Sequence, residues 1–149
     1  MLAQNETGAI MPVADAAAAA RRQGIVAHTD AAQAVGKVDV DVDALGVDLL
    51  PIAGHKCYAP KGVGALYVRR GTSLEPVLVD AGQEHGVRPG TENVAHIVGL
   101  GAACCLAQSR NPRPRAPRWL PPWQLTRGTR DPSAQVGAAR CGSLERWSW

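Results

Sequence analysis

Three short apolar runs, Ile25–Thr29, Val47–Ile52 and Gly62–Val68, constrain the fold of this chain more than any other feature. Each has the length of a strand, and glycine, proline or charged residues bound it. The segments between them read differently. A helix is predicted over 12–23, because Pro12 suits a first helical position, Ala16 to Ala20 have top propensity and Gly24 suits the end. Residues 31–36 read as a helix or turn, and Asp41 to Leu45 as a short helical segment stopped by Gly46. A last helix runs from about Thr91 to Gln108, where Val94, Ile97, Val98, Ala102, Cys105 and Leu106 recur at helical spacing. Met1-Leu2-Ala3 resembles the tail of a strand before the turn at Asn5-Glu6-Thr7-Gly8. Residues 76–79 read as a short extended piece and Gly82 to Gly90 as a polar loop. Strands alternating with helices predict an α/β layer structure.

A second constraint is a break in composition near Arg110. Residues 1–109 hold eight Lys+Arg against eleven Asp+Glu, a net of −3. Residues 110–149 hold eight arginines against Asp131 and Glu145, a net of +6, with all four tryptophans and six of the eleven prolines. The sequence Asn111-Pro112-Arg113-Pro114-Arg115-Ala116-Pro117 has neither helical nor strand periodicity. We therefore divide the chain into an ordered part, 1–109, and an irregular tail, 110–149. The tail reads as a frameshifted or otherwise aberrant extension, with a disordered linker or a basic binding segment as the alternatives. No nucleic-acid partner is expected.

The cysteines Cys57, Cys104, Cys105 and Cys141 lack the paired spacing of zinc sites, so no metal is expected. There is no secretory signal and no apolar stretch long enough to cross a bilayer. The expectation is a reduced, cytoplasmic protein.

Two charged residues sit just past two of the apolar runs. Asp30 follows Ile25–Thr29 in His28-Thr29-Asp30-Ala31-Ala32-Gln33, and Lys56 follows Val47–Ile52 in Ala53-Gly54-His55-Lys56. A carboxylate at one strand end and a lysine at the next suit the two ends of pyridoxal phosphate. The lysine binds the carbonyl carbon and the carboxylate holds the proton on the pyridine nitrogen. Taken alone, Asp30 reads more strongly as a helix N-cap, and Lys56 as a surface lysine. Gly54 permits close backbone approach, His55 offers a ring nitrogen to a phosphate oxygen, and Gln33 and Asn5 suit the phenolic oxygen. Burial and adjacent positive charge are expected to lower the lysine's pKa.

The motifs Asn5-Glu6-Thr7-Gly8, His28 to Gln33, Gly54-His55-Lys56 with Tyr58-Ala59-Pro60-Lys61-Gly62-Val63-Gly64-Ala65-Leu66-Tyr67, and Arg88-Pro89-Gly90-Thr91-Glu92-Asn93 come in the order and near-spacing of the cysteine desulfurases. The chain resembles that family, in the class V group of fold-type I pyridoxal-phosphate enzymes with the related selenocysteine lyases, from residue 1 to about 108. The resemblance implies the central part of a large cofactor-binding α/β domain and a homodimer with its sites at the subunit interface. It implies Lys56 as the Schiff-base lysine, Asp30 as the pyridinium partner, and Gln33 and Asn5 as phenolate contacts. His55 would be a phosphate ligand, and Thr91 would reach the partner's cofactor phosphate. The implied reaction removes sulfur from L-cysteine, giving alanine and an enzyme persulfide that a sulfur-acceptor protein can collect. Selenocysteine is the alternative substrate, a class V aminotransferase the alternative enzyme, and an inert fragment the non-enzymatic alternative.

The departures from the family pattern are specific. Ala53 stands where the family commonly has a hydroxyl that binds phosphate, a loss of about 1 kcal/mol. The phosphate cup and ring-stacking histidine have no counterpart upstream, nor do the cysteine loop and the substrate-clamping arginine downstream. These gaps imply a chain inactive by itself. Cys57, Cys104 and Cys105 are expected to serve packing rather than catalysis.

Overall fold

The computed structural model describes residues 1–109 and 147–148. Helix α1, Val13–Arg22, starts after Pro12 and ends at Gln23, and Gly24 takes the left-handed φ of +67° that lets the chain turn away. Helix α2, Val42–Leu45, is a single turn. Asp41 caps it by accepting the Asp43 and Ala44 N–H groups at 2.9 and 3.1 Å, and Gly46 closes it at φ +68°. Arg21 of α1 donates to the Gly46 carbonyl at 2.8 Å, tying the two helices together.

Strand β1, Leu49–Ala53, pairs antiparallel with β2, Gly64–Val68, in the register Leu49 to Val68 through Ala53 to Gly64. Both strands alternate between buried and half-buried positions, so Leu50, Ile52, Ala65 and Tyr67 face the core. Close backbone approach at the far end of this pair needs glycine: a Cβ on Gly64 would lie 2.5 Å from the Ile52 carbonyl oxygen. A two-residue strand β3, Trp147–Ser148, pairs antiparallel with Tyr67 and Leu66 of β2. The rest of the expected irregular tail lies outside the described residues.

The run 25–29 is not the buried strand expected. It makes one parallel bridge, His28 to Leu49, and Ile25 and Val26 are 60% and 55% exposed. The reason is local. Asp48 Oδ2 accepts the Ala27 N–H at 2.8 Å, and Ala27's carbonyl accepts the Asp48 and Leu49 N–H groups, so pairing begins only at residue 27. Upstream, the Leu2 N–H donates to the Asp30 carbonyl at 2.7 Å, and Ala3 bridges antiparallel to Ile10. Residues 1–3, 28–30 and β1 therefore lie side by side. The extended piece expected at 76–79 forms no strand, and Val77 and Val79 are exposed.

Helix α3, Val94–Ser109, forms as expected but buries a different face. The stripe read from the sequence included Val94, Val98, Ala102, Cys105 and Leu106, and all five are exposed. Leu100, Cys104 and Ala107 point inward instead. The helix is apolar nearly all round, so periodicity could not choose a face; the packing partner did. That partner includes Pro60, which a Cβ on Gly99 would meet at 2.9 Å. Among the described residues, no helix is long and apolar enough to cross a membrane.

Candidate active site

The residues singled out by sequence emerge beyond the ends of these neighbouring segments. Asp30 directly follows the segment bridged to β1, and the Thr29 N–H donates to the Leu49 carbonyl at 3.1 Å. The segment Gly54–Lys56 is a 3-10 turn that continues β1. Gly54 anchors it: its N–H donates to the Val63 carbonyl, and its own carbonyl accepts the N–H groups of Cys57 and Ala59 at 2.9 and 3.0 Å. Asn5 lies in the turn that follows residues 1–3, closed by the Gly8 N–H on the Gln4 carbonyl.

Lys37 links two of these places directly. Its Nζ donates to the carbonyl of Gln33 at 3.4 Å and to that of Lys56 at 3.3 Å. Sequence reasoning passed over Lys37. The available signal was its position one helical turn after Gln33, at the close of the turns over 31–38. Burial pushes the Lys37 ammonium below its ordinary pKa, the nearby charge of Lys56 pushes it further, and Cys57 partly opposes both.

The burial expected of Lys56 is not found: Asp30, His55, Lys56 and Asn5 are all exposed, and Gln33 is half-buried. The strand ends open outward, and no described residue covers them. Asp30 also does what a capping residue does, since its Oδ1 accepts the Ala32 N–H at 2.7 Å. Capping occupies one oxygen and leaves the carboxylate charge at the site. Beside it, the hydroxyl of buried Thr29 has no hydrogen-bond partner among the described residues. Thr91 lies on the exposed loop before α3.

Cys57, immediately after Lys56, is buried, and its thiol donates to the Gly54 carbonyl at 3.2 Å. A hydrogen bond from Cys104 is the main influence lowering its pKa, to about 7. Burial opposes this, while the Ala59 N–H and the charge of Lys37 assist it. Cys104 is half-buried and Cys105 exposed, so buried packing holds for Cys57 and not for Cys105.

The model of the family described as aminotransferase class-V matches residues 1–111. The chain belongs to that family. Class V members are pyridoxal-phosphate enzymes. Among curated relatives, the chain is 51% identical over 122 residues to a cysteine desulfurase of Gluconacetobacter diazotrophicus, covering 79% of this chain and 30% of that one. It is 52% identical over 107 residues to the cysteine desulfurase IscS of Dictyoglomus turgidum, covering 72% and 27%. The chain thus spans about 30% of the length of the curated relatives it matches. Among solved structures, DndA from Streptomyces lividans superposes with a TM-score of 0.66 at 42% identity, over 74% of this chain and 32% of that one. SspA in complex with cysteine superposes at 0.65 with 46% identity, over 68% and 30%. The α/β expectation of a fold-type I class V domain is met.

Proposed function

We propose that this chain carries the lysine-bearing part of a pyridoxal-phosphate site of the cysteine desulfurase type. The supporting observation is that Asp30 follows the segment bridged to β1 and His55 and Lys56 follow β1 itself, with Lys37 joining the Gln33 and Lys56 backbones. That donor set fits the cofactor: an amine, a carboxylate, an imidazole and an amide, with the unpartnered Thr29 hydroxyl beside the carboxylate.

In this reading Lys56 would hold the cofactor through its amine and would serve as the base for the substrate's α-proton. Asp30 would hold the proton on the pyridine nitrogen, its exposed carboxylate supplying the opposing charge. Gln33 and Asn5 bind the phenolic oxygen and His55 the phosphate. The bound cofactor supplies an electron sink for the substrate's α-carbon. Thr91, on the exposed loop before α3, suits the phosphate of a second subunit's cofactor in a homodimer.

L-cysteine is the proposed substrate, because the relatives are named cysteine desulfurases and a structural neighbour is a complex with cysteine. Alanine and a persulfide for an acceptor protein are the proposed products. Cys57, Cys104 and Cys105 form no disulfide among the described residues, which suits a reducing compartment, and we place the protein in the cytoplasm.

Stoichiometric pyridoxal phosphate followed by borohydride reduction tests the site. One pyridoxyl mark on Lys56, absent in Lys56→Ala, is the expected result. Marks spread evenly over Lys37, Lys56 and Lys61 would refute it. With the site loaded, spectral change on adding L-cysteine rather than L-selenocysteine assigns the substrate.

A further inference from the structure

Cys57 and Cys104 lie far apart in sequence, yet at the junction of the Lys56 turn and α3 the Cys104 side chain is the leading hydrogen-bonding influence on the Cys57 thiol. Two further observations fix this junction. Cys104 packs against the core cluster that contains Cys57, and α3 presses so closely on the following loop that a Cβ on Gly99 would meet Pro60 at 2.9 Å. Cys57 is also oriented, because its thiol reaches the Gly54 carbonyl at 3.2 Å. Cys105 is the next residue after Cys104 but is exposed, on a different side of the helix.

We propose that Cys57 and Cys104 form a peroxide-sensitive dithiol, whose oxidation tethers the turn carrying Lys56 to α3. The steps balance without any further reagent. The Cys57 thiolate attacks one oxygen of hydrogen peroxide; the O–O bond breaks, Cys57 becomes a sulfenic acid and hydroxide leaves. The Cys104 sulfur then attacks the Cys57 sulfur. The S–O bond breaks, an S–S bond forms, and water leaves with the Cys104 proton. Overall, two thiols lose two electrons and two protons, and one peroxide becomes two waters. The two sulfurs close to the ~2.05 Å of a disulfide by side-chain rotation. The half-buried Cys104 side offers a small oxidant its approach, and the ammonium of Lys37 favours the thiolate at Cys57.

This inference does not depend on a bound cofactor, and its test omits one. The full chain is treated with equimolar hydrogen peroxide, its remaining thiols are alkylated, and it is digested without reduction. The expected result is loss of two of the four thiols, with the Cys57 peptide joined to the peptide holding Cys104. Cys105→Ser keeps this link. Cys104→Ala abolishes it and leaves a sulfenic acid on Cys57 that dimedone captures. The wild-type chain in concentrated urea provides a reference that needs no variant to fold, and there the pairing becomes statistical. A link from Cys57 to Cys105 or Cys141 in the native chain, a Cys57–Cys104 link no more frequent than in urea, or four surviving thiols would each overturn the proposal.

Discussion

The ammonium of Lys37 donates to the main-chain carbonyl of Lys56 at 3.3 Å, so the turn that presents one lysine is held by another. The same ammonium reaches the Gln33 carbonyl at 3.4 Å. Both bonds are long, and together they are worth about 1 kcal/mol. Lys37→Met removes them while keeping an apolar stem of similar length. Affinity for pyridoxal phosphate should fall about fivefold in a spectral titration. Unchanged affinity would mean that the tie does not shape the site.

Asp30 serves as a cap and is proposed to serve as a cofactor partner, and one substitution separates the two roles. Asparagine keeps an oxygen for the Ala32 N–H but lacks the charge. Asp30→Asn should leave the urea midpoint within the equivalent of about 0.5 kcal/mol of wild type. It should nevertheless weaken cofactor binding about tenfold, as loss of a charged hydrogen bond does. Equal effects on stability and binding would reduce Asp30 to a cap.

Cys57 titrates near pH 7, chiefly because Cys104 donates a hydrogen bond to it. Its alkylation rate should therefore be half-maximal near pH 7, and Cys104→Ala should move that midpoint upward. Folding stability should follow the same ionisation. The folded thiol ionises near pH 7 and an unfolded one near 9.0, so the thiolate's contribution is complete above pH 9. It fades as the pH falls from 9 to 7. Urea midpoints of wild type and Cys57→Ala, compared across that window, check the sign.

Two glycines should respond in opposite directions to alanine. A Cβ on Gly54 would lie 2.6 Å from the Val63 carbonyl oxygen, so Gly54→Ala must displace backbone and costs about 1–3 kcal/mol. Gly101, inside α3, has nothing within 4 Å of its added Cβ. Gly101→Ala should stabilise by about 0.5–1 kcal/mol through helix propensity. Chemical denaturation of the two variants gives both signs directly.

Arg69 joins the first residue after β2 to the segment before β1. Its Nε donates to the Val47 carbonyl at 3.0 Å and lies 3.3 Å from Asp48 Oδ1, while its Nη2 donates to the Val42 carbonyl at 3.0 Å. Its Nη1 pairs with Asp43 at 3.3 Å. A lysine keeps the charge but cannot fill this fork, so Arg69→Lys should cost about 1–2 kcal/mol. A urea midpoint equal to wild type would show that the charge alone suffices.

The local chemistry of the chain was legible wherever neighbours in sequence decide it. Pro12 and Gly24 bounded α1, Asp41 and Gly46 bounded α2, and the runs ending at Ile52 and Val68 became β1 and β2. The candidate site residues were singled out through the motifs that hold them. Periodicity could not find the buried face of α3, because the helix is apolar on nearly all sides and Pro60 selects the face. It could not show that Ile25 and Val26 stay exposed, because Asp48 fixes where strand pairing starts. Nor could it find the contacts of Lys37 with Lys56 or of Cys57 with Cys104. Sequence alone determined which turns, caps and reactive groups the chain contains, through interactions spanning a few residues. Tertiary structure decided which of those groups meet, because such contacts depend on how distant segments pack.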